Sequence, residues 1–247
     1  MLYTLNGNIC AKKVYSISMT EKTALDKYLF KPFPGSSHFW ASDHLEAIKN
    51  NFTLLDIGCG SGCMGEKARS LNWQKLDAIE IDESARDKAA KIYDNVFASI
   101  LDVKDDTYDC ILLLDILEHL TNPEELLKVV TKKLTKNGIL LISVPNIAHW
   151  SIRLLLLFGF FNYTERGILD KTHFRFFTVS TAKKTVELID NLKIVEVTAS
   201  TPPVQFVLPD WICDNKIFNT LSFFHTNLAK LVPGFFGYQI LLKVKKV

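Results

Sequence analysis

A chain of 247 residues that is 48% hydrophobic and 23% charged holds enough apolar material for one α/β domain with additions, or for two small domains. Its formal charge of +2, with no block of Lys or Arg, argues against nucleic acid as a partner. The five cysteines (Cys10, Cys59, Cys63, Cys110, Cys213) contain no CxxC pair, so they complete no zinc site and point to a reduced, intracellular setting.

Residues 1–50 read as an N-terminal extension or helical cap, and the first nineteen contain no apolar core of a secretory signal. An apolar run over 52–57 predicts a strand that ends in Gly58-Cys59-Gly60-Ser61-Gly62 and leads into a helix over 63–71. Glycines at such a turn let backbone N–H groups approach a ligand that a Cβ would block, and the helix N-terminus offers further donors. Strands follow at 76–81, 96–101 and 108–114, with a helix over 83–92 between the first two. Residues 108–114 are apolar enough to be buried on both faces. Asn122-Pro123-Glu124-Glu125 starts a helix with proline and acids at its N-terminus. That helix runs to Leu134, and Asn137-Gly138 is expected to close it before a fifth strand at 139–144.

Residues 146–177 form an insertion whose stretch 152–161 is strongly apolar, too short to span a bilayer, and interrupted by Arg153. A helix over 178–188 and strands at 192–197 and 239–244 complete the pattern, with a second insertion over 201–236. Alternating strands and helices imply an α/β domain over 51–247 with a doubly wound, mostly parallel sheet.

The glycine turn lacks the GxGxxG spacing of a dinucleotide fingerprint, its third glycine coming one residue early. Asp56 stands just before the turn, where a carboxylate organises the loop or meets an ammonium, and Glu80 ends the second strand where it can accept ribose hydroxyls. A ligand with an amino acid at one end and a nucleoside at the other would use all of these features.

Leu55-Asp56-Ile57-Gly58-Cys59-Gly60-Ser61-Gly62 resembles the first motif of the class I S-adenosylmethionine-dependent methyltransferases, and Ala78-Ile79-Glu80-Ile81 resembles their second. Asp115-Ile116-Leu117-Glu118-His119-Leu120 resembles the signature after their fourth strand, and the run from Asn137 to Asn146 resembles the fifth-strand motif. Gly167-Ile168-Leu169-Asp170-Lys171-Thr172-His173-Phe174-Arg175-Phe176-Phe177-Thr178 is similar to a bacterial subgroup linked to surface-polysaccharide and glycan biosynthesis. The resemblance implies a Rossmann-like, seven-stranded sheet with an antiparallel last strand. It also implies S-adenosyl-L-methionine held by Asp56, Gly58, Cys59, Gly60, Gly62, Glu80 and Ile81, with Asp102 and the Leu114-Asp115 backbone around the adenine. The acidic residue expected after the third strand is displaced, because Ile100 falls near that position and Asp102 two residues later.

The acceptor side is open in several places. A hydroxyl acceptor must lose a proton, which suits His119 and His173, and less directly His149, as general bases; each is also open to a structural role. Asp115, Glu118 and His119 share a face if a helical turn begins there, and His173 could join them around a divalent cation; equally, Glu118 and His119 brace the loop. Arg175 could meet an anionic acceptor such as a phosphorylated sugar or pair with Asp170. His38 could reach the methionine end or belong to a simple turn.

The apolar stretches 154–161 and 218–236 read as a second small core, or as a surface for a lipid-linked substrate and peripheral membrane association. The expected activity is O-methylation of a sugar or glycan precursor in the cytoplasm, at the inner membrane face if those stretches meet lipid. A quinone-like small-molecule acceptor, or a binding module without turnover, are the alternatives.

Overall fold

The computed structural model describes residues 35–48, 52–204, 211 and 215–247, so most of the N-terminal extension, Cys10 and Cys213 lie outside the described residues. Seven strands form one sheet in the order β3-β2-β1-β4-β5-β7-β6: β1 Thr53–Ile57, β2 Lys75–Ile79, β3 Asn95–Phe97, β4 Tyr108–Leu114, β5 Leu134–Pro145, β6 Leu192–Ala199 and β7 Gln239–Lys246. The first five run parallel, and β7 runs antiparallel to both β5 and β6.

Adjacent residues of the central strands serve opposite faces, as the pleat requires. Leu55, Ile57, Ile111, Leu113, Leu140 and Ile142 enter one core, which is covered by α4 Pro123–Lys133 and α6 Val179–Glu187. Leu54, Leu76, Ala78, Cys110, Leu112 and Leu141 enter the other, covered by α1 Ser37–Ala47, α2 Cys63–Ser70 and α3 Glu83–Ala89. Both faces of β1 and β4 are dry, which is why these segments read as continuous apolar runs.

The expected helix closure at Asn137-Gly138 is overturned. The helix α4 ends at Lys133, and Leu134 is already extended (φ −69°, ψ 137°) and pairs with Tyr108. The ladder then breaks and resumes at Cys110 with Ile139. Asn137, at φ 69°, therefore turns a bulge inside β5 rather than a helix end. Leu134 explains the difference, because its side chain is wholly buried in the first core and holds the strand there before the bulge starts.

The insertion after β5 carries α5 Trp150–Leu157, and a second addition carries α7 Lys216–Leu231 and the short α8 Pro233–Phe236. Asn146 ties the two at their base, its Nδ2 donating to the carbonyls of Gly237 (2.8 Å) and Pro233 (3.2 Å). The small core in this region is made by Ile152, Ile168 and Leu169 with Ile147, Phe176 and Tyr238. The leucines and phenylalanines of 154–161 do not form it: Leu154, Leu157, Phe158 and Phe160 are all exposed. A second small core thus exists, built from residues other than those expected.

The helix α1 is fixed through its C-terminal turn, where Leu45 has no partner for its carbonyl within the helix. Trp73, fully buried on the second face, donates its indole N–H to that carbonyl at 3.1 Å. Trp73→Phe keeps most of the ring but leaves the carbonyl unsatisfied, so urea denaturation should show a loss of about 1–3 kcal/mol. An unchanged midpoint would mean that the bond contributes nothing to holding α1.

Candidate active site

The parallel strands β1, β2, β3 and β4 end side by side, so the segments that follow them share one edge of the sheet, the usual ligand edge of an open α/β fold. After β1 the chain turns through Gly58 (φ 71°), Gly60 (φ 55°) and Gly62 (φ 101°) into α2. A Cβ on Gly58 would collide with Ile116, and one on Gly62 would lie 2.6 Å from the Ile92 side chain, so both positions require glycine twice over. Gly58 donates its N–H to the Ile79 carbonyl at 2.7 Å, which locks the turn to the end of β2.

Glu80, one residue past β2, braces the same turn. Its carboxylate accepts the backbone N–H of Gly60 (2.8 Å) through one oxygen and those of Ile81 (2.8 Å) and Asp82 (3.0 Å) through the other. A carboxylate offers about four acceptor sites, so a diol can be received beside these bonds or in exchange for one. Ile81 and, after β3, Leu101 stand exposed at neighbouring strand ends, apolar surfaces suited to the faces of a purine. Asp102 closes the short 3₁₀ turn Ile100–Asp102 and is exposed, while Ile100 is buried in the first core.

Asp56 is buried beneath the turn and accepts the Tyr93 hydroxyl at 2.5 Å. Burial pushes its carboxyl up to about 6, opposed by the Tyr93 hydrogen bond and aided by Glu80. Cys59 is buried beside it, and burial with these neighbouring acids raises its thiol far above the ordinary range. Asp56 thus ties β1 to Tyr93, whose ring lies beside Gly62 and Gly65.

After β4, Asp115 adopts φ 58°. Its N–H donates to the Ser143 carbonyl (3.0 Å), and its carboxylate accepts from the Ser143 hydroxyl (2.6 Å) and the Gln239 amide (2.6 and 2.7 Å). Gln239 in turn accepts from Ser200 at 3.0 Å, so this network crosses from β4 through β5 and β7 to the end of β6. These bonds separate Asp115 from the expected metal set. Among the described residues, the set that comes together is Glu118, His119 and His173, with one ligand atom of each lying within 4.8 Å of the others.

The histidine pair is assembled by the insertion. The N–H groups of Phe174 (2.8 Å) and Arg175 (3.0 Å) both donate to the Glu118 carbonyl, which docks residue 173 against the 3₁₀ turn Leu117–His119. The rings of His119 and His173 pack edge to face, 4.9 Å apart at 71°. His119 Nδ1 lies 3.2 Å from both the carbonyl and the hydroxyl of Thr172, and that hydroxyl donates to Asp170 at 2.7 Å. His173 Nδ1 lies 3.1 Å from the Ile168 carbonyl. A carbonyl only accepts, so in each neutral ring the proton sits on Nδ1 and the lone pair on Nε2. Burial, followed by the neighbouring His173, holds His119 below its ordinary range.

The remaining candidates are placed differently. His149 caps α5, its Nδ1 2.7 Å from the Ser151 hydroxyl, and burial with His225 pushes it down to about 4. Arg175 donates through Nε and Nη2 to the Thr121 carbonyl (2.9 and 2.6 Å) rather than pairing with Asp170, whose carboxylate holds Thr172. His38 is buried in the first turn of α1, where Ser36 caps Phe39.

Several participants carried no separate signal in the sequence. Tyr93 and Gln239 reach the site only through the fold, whereas Ile116 and Thr172 lie within the 115–120 and 167–178 motifs beside the residues that carry their signal.

A family model described as a methyltransferase domain matches residues 29–196. The chain is 30% identical over 112 residues to an (S)-coclaurine N-methyltransferase of Thalictrum flavum, covering 41% of this chain and 30% of that one. It is 26% identical over 110 residues to a ubiquinone biosynthesis O-methyltransferase of Rickettsia akari, covering 42% and 44%. The match thus spans less than half the length of these relatives. Among solved structures, a Bacillus halodurans methyltransferase described as putative superposes with a TM-score of 0.58 at 17% identity, covering 85% of this chain and 99% of that one. An S-adenosylmethionine-dependent methyltransferase of Archaeoglobus fulgidus gives 0.55 at 20%, covering 88% and 97%. The [4+2]-cyclase SpnF, at 0.56 and 13% identity over 84% of this chain and 80% of that one, shares the fold as well.

Asp56 supplies a test of the site's electrostatics. Its folded value near 6 exceeds the ordinary 3.8, so the native state binds the proton more tightly and ionisation destabilises the fold. That penalty is absent at pH values below 3.8, grows as pH rises towards 6, and is complete above it. Asp56→Asn should therefore gain on the wild type by about 3 kcal/mol between pH 4 and pH 7 in chemical denaturation. A constant difference would show that burial does not perturb this carboxyl. With the matched segment covering the strand-end site from the glycine turn to the insertion, the chain belongs to the methyltransferase-domain family.

Proposed function

We propose that this chain is an S-adenosylmethionine-dependent O-methyltransferase whose acceptor is a sugar or glycan precursor. The observation that carries the reading is one edge of the sheet bearing both a glycine turn braced by Glu80 and two histidines tautomerically fixed with Nε2 as acceptor. The residues fit the donor: the glycine turn is held against the ends of β1 and β2, Glu80 suits the ribose diol, and Ile81 and Leu101 suit the adenine faces.

S-adenosylmethionine supplies an electrophilic methyl carbon on a sulfonium, and its displacement is in line. The chain's own task is therefore alignment and removal of one proton. S-adenosylmethionine bound there would supply the methyl group, and the hydroxyl proton of the acceptor would pass to a histidine Nε2. His173 takes that proton in this reading, and His119 orients it across the ring contact. Thr172 and Asp170 hold His119 in the required tautomer. Glu118, buried beside the pair, stabilises the imidazolium that forms.

The relatives favour a second reading, a quinone-like acceptor, since part of a ubiquinone biosynthesis O-methyltransferase matches this chain. The glycan reading rests on the 167–178 segment. Labelled-methyl transfer to sugar nucleotides and lipid-linked glycans, run beside quinols, distinguishes the two. A binding module would take up the donor and label none of them.

Calorimetry should detect S-adenosylhomocysteine binding, and Glu80→Ala should weaken it by about tenfold or more, the worth of a lost charge-assisted hydrogen bond. No heat with well-folded wild type removes the reading altogether. His173→Ala should lower turnover about 100-fold while leaving donor affinity within a factor of about two. Full activity in that variant would exclude His173 as the base, and loss of activity to a chelator with rescue by a divalent ion would reassign the trio to metal binding. Because burial holds His119 below its ordinary range, an NMR titration of its ring should find it still mostly neutral at pH 6.5, and a titration at or above that value would show that burial does not perturb it.

A further inference from the structure

The two additions to the sheet place a large apolar surface in solvent. Four successive residues of α5, Leu154, Leu155, Leu156 and Leu157, are exposed, so the last turn of the helix, beyond the buried Ile152, presents apolar side chains in several directions rather than along one stripe. Phe158 and Phe160 follow across Gly159, where a Cβ would meet nothing within 4 Å, so the tip stands clear of the body. On α7, Leu221, Phe224, Leu228 and Leu231 recur at three- and four-residue spacing and are exposed too, which turns an apolar stripe outward. The two additions adjoin one another: Arg153 lies 5.6 Å over the ring of Phe235 on α8, and Asn146 bonds the α8 carbonyls.

We propose that this face docks on the surface of an anionic lipid bilayer. Three observations favour lipid over a second protein. A helix end with apolar side chains exposed in several directions suits a hydrocarbon medium, whereas a protein groove receives one stripe and keeps a polar rim. Aromatic residues with a polar edge, Trp150 and Tyr163, stand exposed at the two ends of the apolar run, where the interface between water and acyl chains would lie. The charge is one-sided: residues 146–163 and 215–237 contain no Asp or Glu, while Arg153 and Lys230 are exposed. Attachment is peripheral, since no helix among the described residues is long and apolar enough to cross a membrane.

Docking would bring the acceptor end of the site to the lipid. A chain of ring contacts runs from Phe161 to Phe176 (5.8 Å), His173 (6.3 Å) and His119 (4.9 Å), so the exposed surface and the histidine pair are parts of one structure. The docking itself does not depend on which acceptor is methylated.

The test is co-sedimentation of the full chain with phosphatidylcholine vesicles, with and without phosphatidylglycerol. The wild type should pellet with the anionic vesicles and be released by high salt. A Leu157→Glu/Phe158→Glu variant should bind about tenfold or more weakly. Its unfolding midpoint and S-adenosylhomocysteine binding should be unchanged, which marks the positions as surface. Leu231→Glu, on the other addition, should weaken binding in the same direction and serves if the first variant fails to fold. Trp150 should shift its emission to the blue on vesicle addition, read as the difference from Trp150→Phe. Wild type that stays in the supernatant with both vesicle types overturns the proposal. So does a concentration-dependent dimer that the variants dissolve without any vesicle binding, which would assign the face to a second copy.

Discussion

The end of β2 and the turn after β1 are joined by one carboxylate. Glu80 collects the N–H of Gly60 from one strand end and those of Ile81 and Asp82 from its own. Charge-assisted bonds of this kind are stronger than neutral ones, and here they fix the turn in the left-handed conformations that its glycines permit. The rest of the strand-end edge is arranged around that brace. Tyr93 and Asp56 support the turn from beneath, Ile116 limits it from the side of β4, and α2 begins where the turn ends. A rigid turn follows from backbone geometry plus one acid.

The histidine pair is built on a different principle. His119 and His173 come from distant segments that meet because two backbone N–H groups of the insertion hook onto the Glu118 carbonyl. The tautomer of each ring is then set by carbonyls and a threonine within the same insertion. Exchanging or reshaping this loop would alter the proton chemistry while leaving Glu80 and the glycine turn as they are.

The sheet was legible because buried parallel strands must be apolar on both faces. The 108–114 run read from hydropathy is β4 to the residue, and the final antiparallel strand followed from the family resemblance. Asn137-Gly138 misled because a positive φ serves a helix end and a strand bulge equally well, and only the burial of Leu134 decides between them. The partners of the site acids were not legible either. Asp115 is claimed by Gln239 across 124 residues of sequence, and Asp56 by Tyr93 across 37, distances over which no local pattern operates. With Asp115 so engaged, the i, i+3, i+4 spacing that suggested a shared metal face lost its first member.

The exposed leucines of α5 show the converse limit. Hydropathy identifies a run that must leave water but not which apolar phase receives it, and the usual assumption is the protein's own core. Here the core under the insertion is filled by Ile152, Ile168 and Leu169, which come from the helix's inner turn and from the returning loop. With those positions occupied, Leu154, Leu157, Phe158 and Phe160 stay exposed among the described residues, and the proposed lipid surface would account for their hydrophobicity. The absence of acids beside them, with arginine and lysine present, fits a surface that is apolar within and negative at its boundary.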